Sequence, residues 1–263
     1  MVAIDHPAAA PSLAEPAVRT ITTADLQSAL RLGWQDFVAK RGDILFAGLL
    51  YPLVGLMVAA LTLQGALLPL FFPLAAGLSI VGPILAAGFY EIARRRENGD
   101  DSGWAHFLDP LQPERRHGLV GIASMLIVLF LAWLLIAWTL YQATVGQLAP
   151  ASADAFVTLL FTTAEGWTLI VLGNLTGGII ATLTLATTVV SVPMVVDKPV
   201  SGLIAVRTSI RAVAANPWTM ARWGAIVAAL LLLGSIPLFI GLAVVLPTLG
   251  YATWHLYTKA VAR

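Results

Sequence analysis

Long apolar runs alternate with short charged segments along most of this chain. A helix needs about 20 predominantly apolar residues to cross the hydrocarbon core of a bilayer. Four runs satisfy that length, and they are Ile44–Leu63, Phe71–Tyr90, Gly118–Tyr141 and Trp167–Val192. The pattern therefore predicts at least four transmembrane helices.

A longer apolar stretch follows near the C-terminus, from Trp218 to Tyr257. It has about 40 residues, which is too many for one membrane-spanning helix at 1.5 Å per residue. Gly and Pro in LGSIPLFIG, Leu233–Gly241, interrupt it and predict a turn. This gives two further spans, Met220–Gly234 and Leu238–Trp254, and an all-α polytopic membrane protein with six transmembrane helices in three hairpins.

Each hairpin follows a stretch in which apolar residues recur at helical spacing. In the first stretch Thr22 and Asp25 make a capping box. The apolar positions are Leu26, Leu30, Trp34, Phe37 and Val38 in the first stretch, Trp104, Phe107, Leu108 and Leu111 in the second, and Leu203, Val206, Ile210 and Val213 in the third. We therefore predict a cytoplasmic-side amphipathic helix before each hairpin. The alternative is that any linker between spans tends to form such a helix.

This pattern divides the chain into three pseudo-repeats near residues 21–92, 100–195 and 200–260 within one membrane domain, 21–263. Residues 1–20 are rich in Ala and Pro and are predicted to be a disordered cytoplasmic tail. The similarity between the repeats is one of pattern more than of identity.

Composition supports a membrane location and excludes several chemistries. Apolar residues make up 59% of the chain and charged residues 11%, against about 45–50% and about 25% in soluble domains. The net charge of +1 gives no strong field for nucleic acid. Cysteine is absent, so thiol nucleophiles, disulfides, iron–sulfur clusters and cysteine zinc sites are excluded.

The basic residues predict the orientation. All 15 lie before the first span, in the segments 91–117 and 193–222, or at the C-terminus. Because Lys and Arg stay on the cytoplasmic side, both termini are predicted to be cytoplasmic. Residues expected at this inner face, as anchors of the spans, are Glu91, Arg94, Arg95, Arg96, Arg207, Arg211 and His255. Contact with headgroups or a partner protein is the alternative role.

Few residues offer catalytic chemistry. The predicted spans hold no mid-membrane carboxylate, which weakens a proton-coupled transporter. An enzyme at the inner interface could use only Glu91, His106, His117 and the neighbouring aspartates, and no triad, nucleophile elbow or phosphate loop occurs. Asp100, Asp101 and Asp109 beside those histidines could form an adventitious metal site. We expect no catalytic site, metal or cofactor.

The fourth predicted span is the most polar. Gly173 and Gly177 have the spacing that lets helices approach closely, and Asn174 and Thr176 can hydrogen-bond across such a contact. Plain helix packing explains this pattern. The functional alternative is a small polar cavity lined by Asn174, Thr184 and Thr188. Prolines at positions 52, 83 and 247 predict kinks.

Four stretches of the chain also carry a family resemblance: ALRLGWQDFVAKRGDILFAGLLYPLVG, GPILAAGFYEIARRRENG, RAVAANPWTMARWGAIVAALLLLGSIP and PTLGYATWHLY. The arginine-rich end of the second span and the ATWHLY ending are the most specific. Together they resemble the bacterial integral-membrane proteins grouped as domain of unknown function 2189, from Ile21 to Tyr257. The resemblance implies six membrane helices in a bacterial inner membrane and supplies no catalytic residues.

Three functional classes remain open. The first is a non-catalytic membrane component that binds lipid, itself or another membrane complex. The second is an uncoupled transporter or pore for a small or lipidic solute, and the third is an interfacial enzyme. We expect the first class, with membrane lipids, a membrane-protein partner or a homo-oligomer as partners, and no nucleic acid.

Overall fold

The computed structural model describes residues 16–62, 68–150 and 152–262, and most side chains between 41 and 62 are outside the description. The structure is 85% helix, with no strands among the described residues. The helices are α1 Thr23–Thr62, α2 Phe71–Leu85, α3 Ala87–Asn98, α4 Pro113–Ala143, α5 Ala153–Thr162, α6 Ala164–Thr188, α7 Ser191–Asp197, α8 Gly202–Ala215, α9 Pro217–Ser235 and α10 Leu242–Ala260. Short 3₁₀ segments lie at Leu68–Leu70, Trp104–Leu111 and Val145–Leu148.

Four helical stretches among the described residues are long and apolar enough to cross a membrane. They are Phe71–Asn98, Pro113–Ala143, Ala164–Asp197 and Pro217–Ser235. The chain is therefore an integral, multi-pass membrane protein, and these stretches coincide with predicted spans two to five. The first predicted span, Ile44–Leu63, lies in the second half of α1 up to Thr62. Its last residue, Leu63, is outside the described residues. The sixth overlaps α10, which is not among the four, so the six-span arrangement stays a prediction.

A break at Ala86 divides the second predicted span. Pro83 lies in the last turn of α2, and its ring removes one backbone donor and crowds the preceding turn. The chain continues at Ala86 with helical dihedrals and its N–H bonds to the carbonyl of Gly82. The kink predicted at Pro83 is thus a short break between α2 and α3. The charged residues of this region lie after the break, on α3.

The first amphipathic stretch and the first predicted span form one continuous helix, α1. Its start shows the expected capping box, in which the Thr22 N–H donates to Asp25 Oδ2 at 2.9 Å and the Asp25 N–H donates to Thr22 Oγ1 at 3.4 Å. Leu26, Ala29 and Phe37 are buried, whereas Trp34 is half exposed.

The N-terminal half of α1 packs antiparallel along α10. Gly33 allows the closest approach, because a Cβ at this position would lie 2.5 Å from the backbone nitrogen of Ala252. Farther along the pair, Lys259 Nζ lies 3.6 Å from Asp25 Oδ1. The amphipathic stretch before the first hairpin therefore buries part of its surface against the last helix.

The two ends of the described chain meet. Val18 forms an isolated antiparallel bridge with Val261, and the N–H of Arg19 donates to the carbonyl of Ala260 at 2.8 Å. Residues 16–20, which the sequence placed in the tail, are thus paired with the C-terminal residues, while residues 1–15 lie outside the description. Both described ends lie on the same side of the molecule.

The side chain of Asn216, just before α9, joins this region to α1. Its Oδ1 accepts from the N–H of Ile21 at 2.8 Å, and its Nδ2 donates to the carbonyls of Arg19 and Ala212, each at 3.0 Å. Asn216 is buried, so these bonds satisfy a polar group that water does not reach.

Helix α4 packs between α2 and α6. Trp133 is buried, and its Nε1 donates to the carbonyl of Pro73 at 2.8 Å. On the other side its ring lies over Gly177, 3.2 Å from where a Cβ would stand. One tryptophan thus fixes the relative position of three helices.

Candidate functional site

The most concentrated polar chemistry lies around Glu91 in α3. Its side chain is completely buried, yet it accepts four hydrogen bonds from three arginines. Arg94 donates to both carboxylate oxygens at 2.6 and 2.9 Å, Arg95 donates at 2.9 Å, and Arg115 at the start of α4 donates at 3.0 Å. Such charge-assisted bonds are the strong class of protein hydrogen bonds. They fasten the end of α3 to α4.

The 3₁₀ segment Trp104–Leu111 extends this cluster. Arg95 also donates to Asp109 Oδ2 at 2.7 Å, and the same oxygen lies 2.8 Å from His106 Nδ1. His106 Nε2 lies 3.3 Å from Asp101 Oδ2. The ring of Phe107 packs edge-on against Phe89 at 5.0 Å, so the segment is held by charge and by aromatic contact.

The carboxylates shift the titration of His106. Its hydrogen bonds to Asp109, and then to Asp101, raise the pKa of the imidazole above its ordinary value of 6.5 because they favour the charged ring. The backbone N–H of Gly103 and then the His106 ring lower the pKa of Asp101 from 3.8. Both groups are solvent-accessible, so water screens these effects.

A second part of the cluster joins α1, α3 and α10. Asp36 is buried, with Oδ1 3.0 Å from Arg96 Nε and Oδ2 2.7 Å from His255 Nε2. Since Asp36 and His255 are 219 residues apart, this contact ties the beginning of the chain to its end.

Two further bonds fasten α10 to neighbouring helices. The Trp254 Nε1–H donates to Glu97 Oε2 at 3.0 Å, and the Tyr257 hydroxyl donates to Asp197 Oδ2 at 2.8 Å. Trp254 and Tyr257 are fully buried. Their polar atoms therefore find carboxylate partners at the ends of α3 and α7.

The cluster pairs acids with bases in a chain of contacts that runs through several elements. Glu91 and His106, two of the catalytic candidates of the sequence, make no direct contact among the described hydrogen bonds and are linked through Arg95 and Asp109. Burial closes Glu91 to a substrate. His117 is exposed on α4, and the described contacts do not bring it to His106. This arrangement is suited to holding helices together.

The inner-face residues predicted from the sequence occupy two different environments. Glu91, Arg94, Arg95, Arg96 and His255 all belong to the charge cluster. Arg207 and Arg211 lie on the exposed surface of α8. The three arginines after the second predicted span therefore bind carboxylates of the protein.

The polar residues of the fourth span do not converge. Asn174 is exposed and its Nδ2 donates to the carbonyl of Ile170 in its own helix at 2.8 Å. Thr184 and Thr188 are buried and their hydroxyls donate to the carbonyls one turn earlier. Asn174 and Thr184 are separated by about 15 Å along the helix axis.

The glycine motif of the same span makes only part of the predicted contact. Gly177 lies under Trp133, whereas a Cβ at Gly173 would meet nothing within 4 Å. Thr176 donates to the carbonyl of Leu172 at 2.8 Å. Close packing of α4 and α6 thus uses Gly177, and the described hydroxyl bonds stay within α6.

Sequence reasoning missed several members of the cluster. The spacing of Glu91 to Arg94 and Arg95, three and four residues, is a readable signal because such side chains share a helix face. Asp36 gave none, since its partner His255 lies 219 residues away. The same holds outside the cluster for Asn216, whose partner Ile21 lies 195 residues away. Only folding brings these groups together.

The comparisons with known proteins give one match. No curated protein and no solved structure matches the chain. A family model described as "Predicted integral membrane protein (DUF2189)" matches residues 71–197. This region includes α2 to α7 and the contacts of Glu91 with Arg94, Arg95 and Arg115. Of the four stretches that carry the sequence resemblance, only the second, GPILAAGFYEIARRRENG, lies inside it. The match confirms the resemblance of this chain to an uncharacterised family of predicted integral membrane proteins.

Proposed function

We propose that this protein is a non-catalytic component of a bacterial inner membrane that binds lipid, or another membrane complex, at its cytoplasmic face. Both termini are then cytoplasmic. The observation that carries the proposal is the outer surface of α8, where exposed apolar and basic side chains alternate. The charge cluster supports the non-catalytic part.

The surface of α8 has the composition of a membrane-contacting helix. Leu203 is 62% exposed and Ile210 is 45% exposed, and Arg207 and Arg211 are exposed beside them. Trp218, at the start of α9, is 80% exposed. Apolar side chains of this kind enter the headgroup region, basic ones attract anionic headgroups, and tryptophan prefers this level of the bilayer.

The opposite face of α8 explains why these residues point outwards. Ala205, Thr208, Ser209 and Ala212 are buried, and the helix packs on α4, α6 and α7. Small side chains allow close packing there. The larger apolar residues at 203 and 210 are therefore left on the outside, next to the arginines.

The charge cluster supports a structural role for the most concentrated ionisable groups. Glu91 is paired with three arginines, and Asp36 contacts Arg96 and His255. Groups that are committed to each other in this way stabilise a rigid inner face, which presents α8 in one orientation.

Purification of the tagged full chain in mild detergent tests the proposal. Mass spectrometry of the eluate should find anionic phospholipid, or one membrane protein, in a fixed ratio to the chain. Changing both Arg207 and Arg211 to Gln should reduce that ratio, while R116Q, which removes an exposed arginine from the first turn of α4, should not. Equal recovery from all three proteins would contradict the proposal.

A second candidate function is uncoupled movement of a lipidic solute. It is favoured by an apolar groove of about 400 Å³ between α4 and α6, lined by Ser124, Met125, Val128, Leu129, Leu183 and Thr187. Flux of a fluorescent lipid across liposomes containing the protein would support it if V128W, which fills the groove, abolished the flux. We expect no dependence on a proton gradient, since no ionisable side chain lines the groove.

A further inference from the structure

A second groove, of about 340 Å³, lies between the first two turns of α1 and the beginning of α9. Its walls are apolar and are formed by Leu26 and Leu30 of α1 and by Ala225 and Ile226 of α9. Its volume is within the range of about 300–1,000 Å³ that is typical of small-ligand sites. Since α9 is a candidate membrane span, the groove lies beside the first turns of a span and runs from its N-terminal end toward its middle.

The end of the groove nearest the start of α9 is polar. Arg222, Thr23 and Gln27 line it, and Arg222 Nη1 donates to Thr23 Oγ1 at 2.8 Å. A guanidinium has five N–H donors. The bond to Thr23 uses one of them, and the exposed side chain has others to offer to a ligand.

Arg222 differs from the arginines of the charge cluster. Arg94, Arg95, Arg96 and Arg115 each contact a carboxylate. Within the described part of the chain, no carboxylate lies within ion-pair distance of Arg222. A positive charge that the described residues do not neutralise, at the polar end of an apolar groove, is complementary to an anion with an apolar tail.

The neighbouring acidic residue does not oppose an anion strongly. Asp25 is on the first turn of α1, where it accepts from the Thr22 N–H and hydroxyl at 2.9 and 2.8 Å. Its other oxygen lies 3.6 Å from Lys259 Nζ. The N-terminal end of α1 also contributes the positive end of a helix dipole.

We propose that this groove binds one anionic phospholipid of the membrane, with its phosphate on Arg222 and Thr23 and an acyl chain between Leu30 and Ile226. The inference rests on the proposed lipid-binding function and assigns to it one defined site. The lipid would fill the gap between α1 and α9 on the side where α9 meets the bilayer. It would also join the first helix to the last hairpin.

Native mass spectrometry of the full chain in detergent, titrated with phosphatidylglycerol or phosphatidylcholine, tests this site. We expect one tight phosphatidylglycerol per chain and weaker phosphatidylcholine binding. R222Q should weaken phosphatidylglycerol binding about tenfold, the typical effect of losing one hydrogen bond to a charged group. R222K, which keeps the charge, should stay within about threefold, and R116Q should match the unchanged protein.

A225W tests the groove without changing any charge. The indole would occupy the space between the helices, so phosphatidylglycerol binding should fall about as much as in R222Q. Thermal unfolding of each variant in detergent shows whether the fold is retained. If A225W does not fold, A225L gives the same test with a smaller side chain.

Three results would overturn the site. Phosphatidylglycerol binding could be unchanged in R222Q and A225L, or R116Q could lose as much binding as R222Q. The third result is phosphatidylglycerol binding that is seen only after residues 2–15 are removed. In that case the N-terminal tail, and not a lipid, would be the occupant of the groove. In each case the proposed lipid-binding function would still stand if the R207Q/R211Q protein retained less lipid than the unchanged chain on purification. Absence of any retained lipid in the unchanged chain would instead contradict the proposed function itself.

Discussion

Replacing Glu91 by Gln should destabilise the folded protein more than any other single carboxylate-to-amide change in the charge cluster. Gln keeps the volume of the side chain and one acceptor oxygen, but it removes the negative charge. Arg94, Arg95 and Arg115 would then converge on a neutral group at 2.6–3.0 Å. The helix ends that carry them would repel one another.

The structure sets the size of this effect. Removing one partner of a buried ion pair typically costs about 3–5 kcal/mol, because the remaining charge stays buried and unpaired. Here the arginine side chains are 18–22% exposed, and Arg95 keeps Asp109 as a partner. We therefore expect about 3 kcal/mol, the lower end of that range.

Unfolding of the purified protein in detergent, followed by tryptophan fluorescence, measures the loss. The chain has eight tryptophans, and Trp254 reports directly on the α10–α3 contact. The control is E165Q at the exposed start of α6, which should change stability by less than about 0.5 kcal/mol. If E91Q lost no more than E165Q, the reasoning that the arginines depend on this carboxylate would be wrong.

Three other predictions address packing, pH and topology. G33A should destabilise the protein by about 1–3 kcal/mol, because the added Cβ would meet the backbone of α10. The control G121A, whose Cβ would meet nothing within 4 Å, should be neutral or stabilising in the same detergent unfolding measurement. The pKa of His106 is raised in the folded state, so its contribution to folding stability is complete below pH 6.5 and is lost as pH rises through the higher folded pKa. The melting temperature of the unchanged protein should therefore fall with rising pH more steeply than that of H106Q. Parallel curves for the two proteins would refute this. In this cysteine-free chain, a single cysteine at Ala153 should react with an impermeant thiol reagent on intact spheroplasts and one at Asn98 should not; labelling at Asn98 would reverse the proposed orientation.

The middle of the fold was readable from the sequence. The predicted spans Gly118–Tyr141 and Trp167–Val192 lie within or close to the observed α4 and α6–α7. The capping box at Thr22 and the disturbance at Pro83 were also predicted correctly. Length, hydropathy and helix-end chemistry are local properties, and in a bilayer the backbone must satisfy its own hydrogen bonds, so an apolar run of sufficient length has few alternatives to a helix.

The chemistry around Glu91 was only half readable. Its spacing to Arg94 and Arg95 is visible in the sequence, but the third arginine comes from α4 and lies 24 residues further on. Similarly, the functional alternative to plain helix packing grouped Asn174 and Thr184 as lining one cavity because both are polar and lie in one span. The structure places them on different parts of α6, since the rotation of a helix relative to its neighbours depends on packing.

What the sequence by itself determined is an all-helical, multi-pass membrane protein with a charged segment after its second span. Tertiary structure alone decided that α1 runs along α10 and that Asp36 contacts His255. It also decided that Asn216 accepts a hydrogen bond from Ile21 in the segment before α1. The physical reason is the range of the interactions. Helix formation depends on residues within a few positions of each other, whereas the partner of a buried charge is chosen by the simultaneous packing of helices that are distant along the chain.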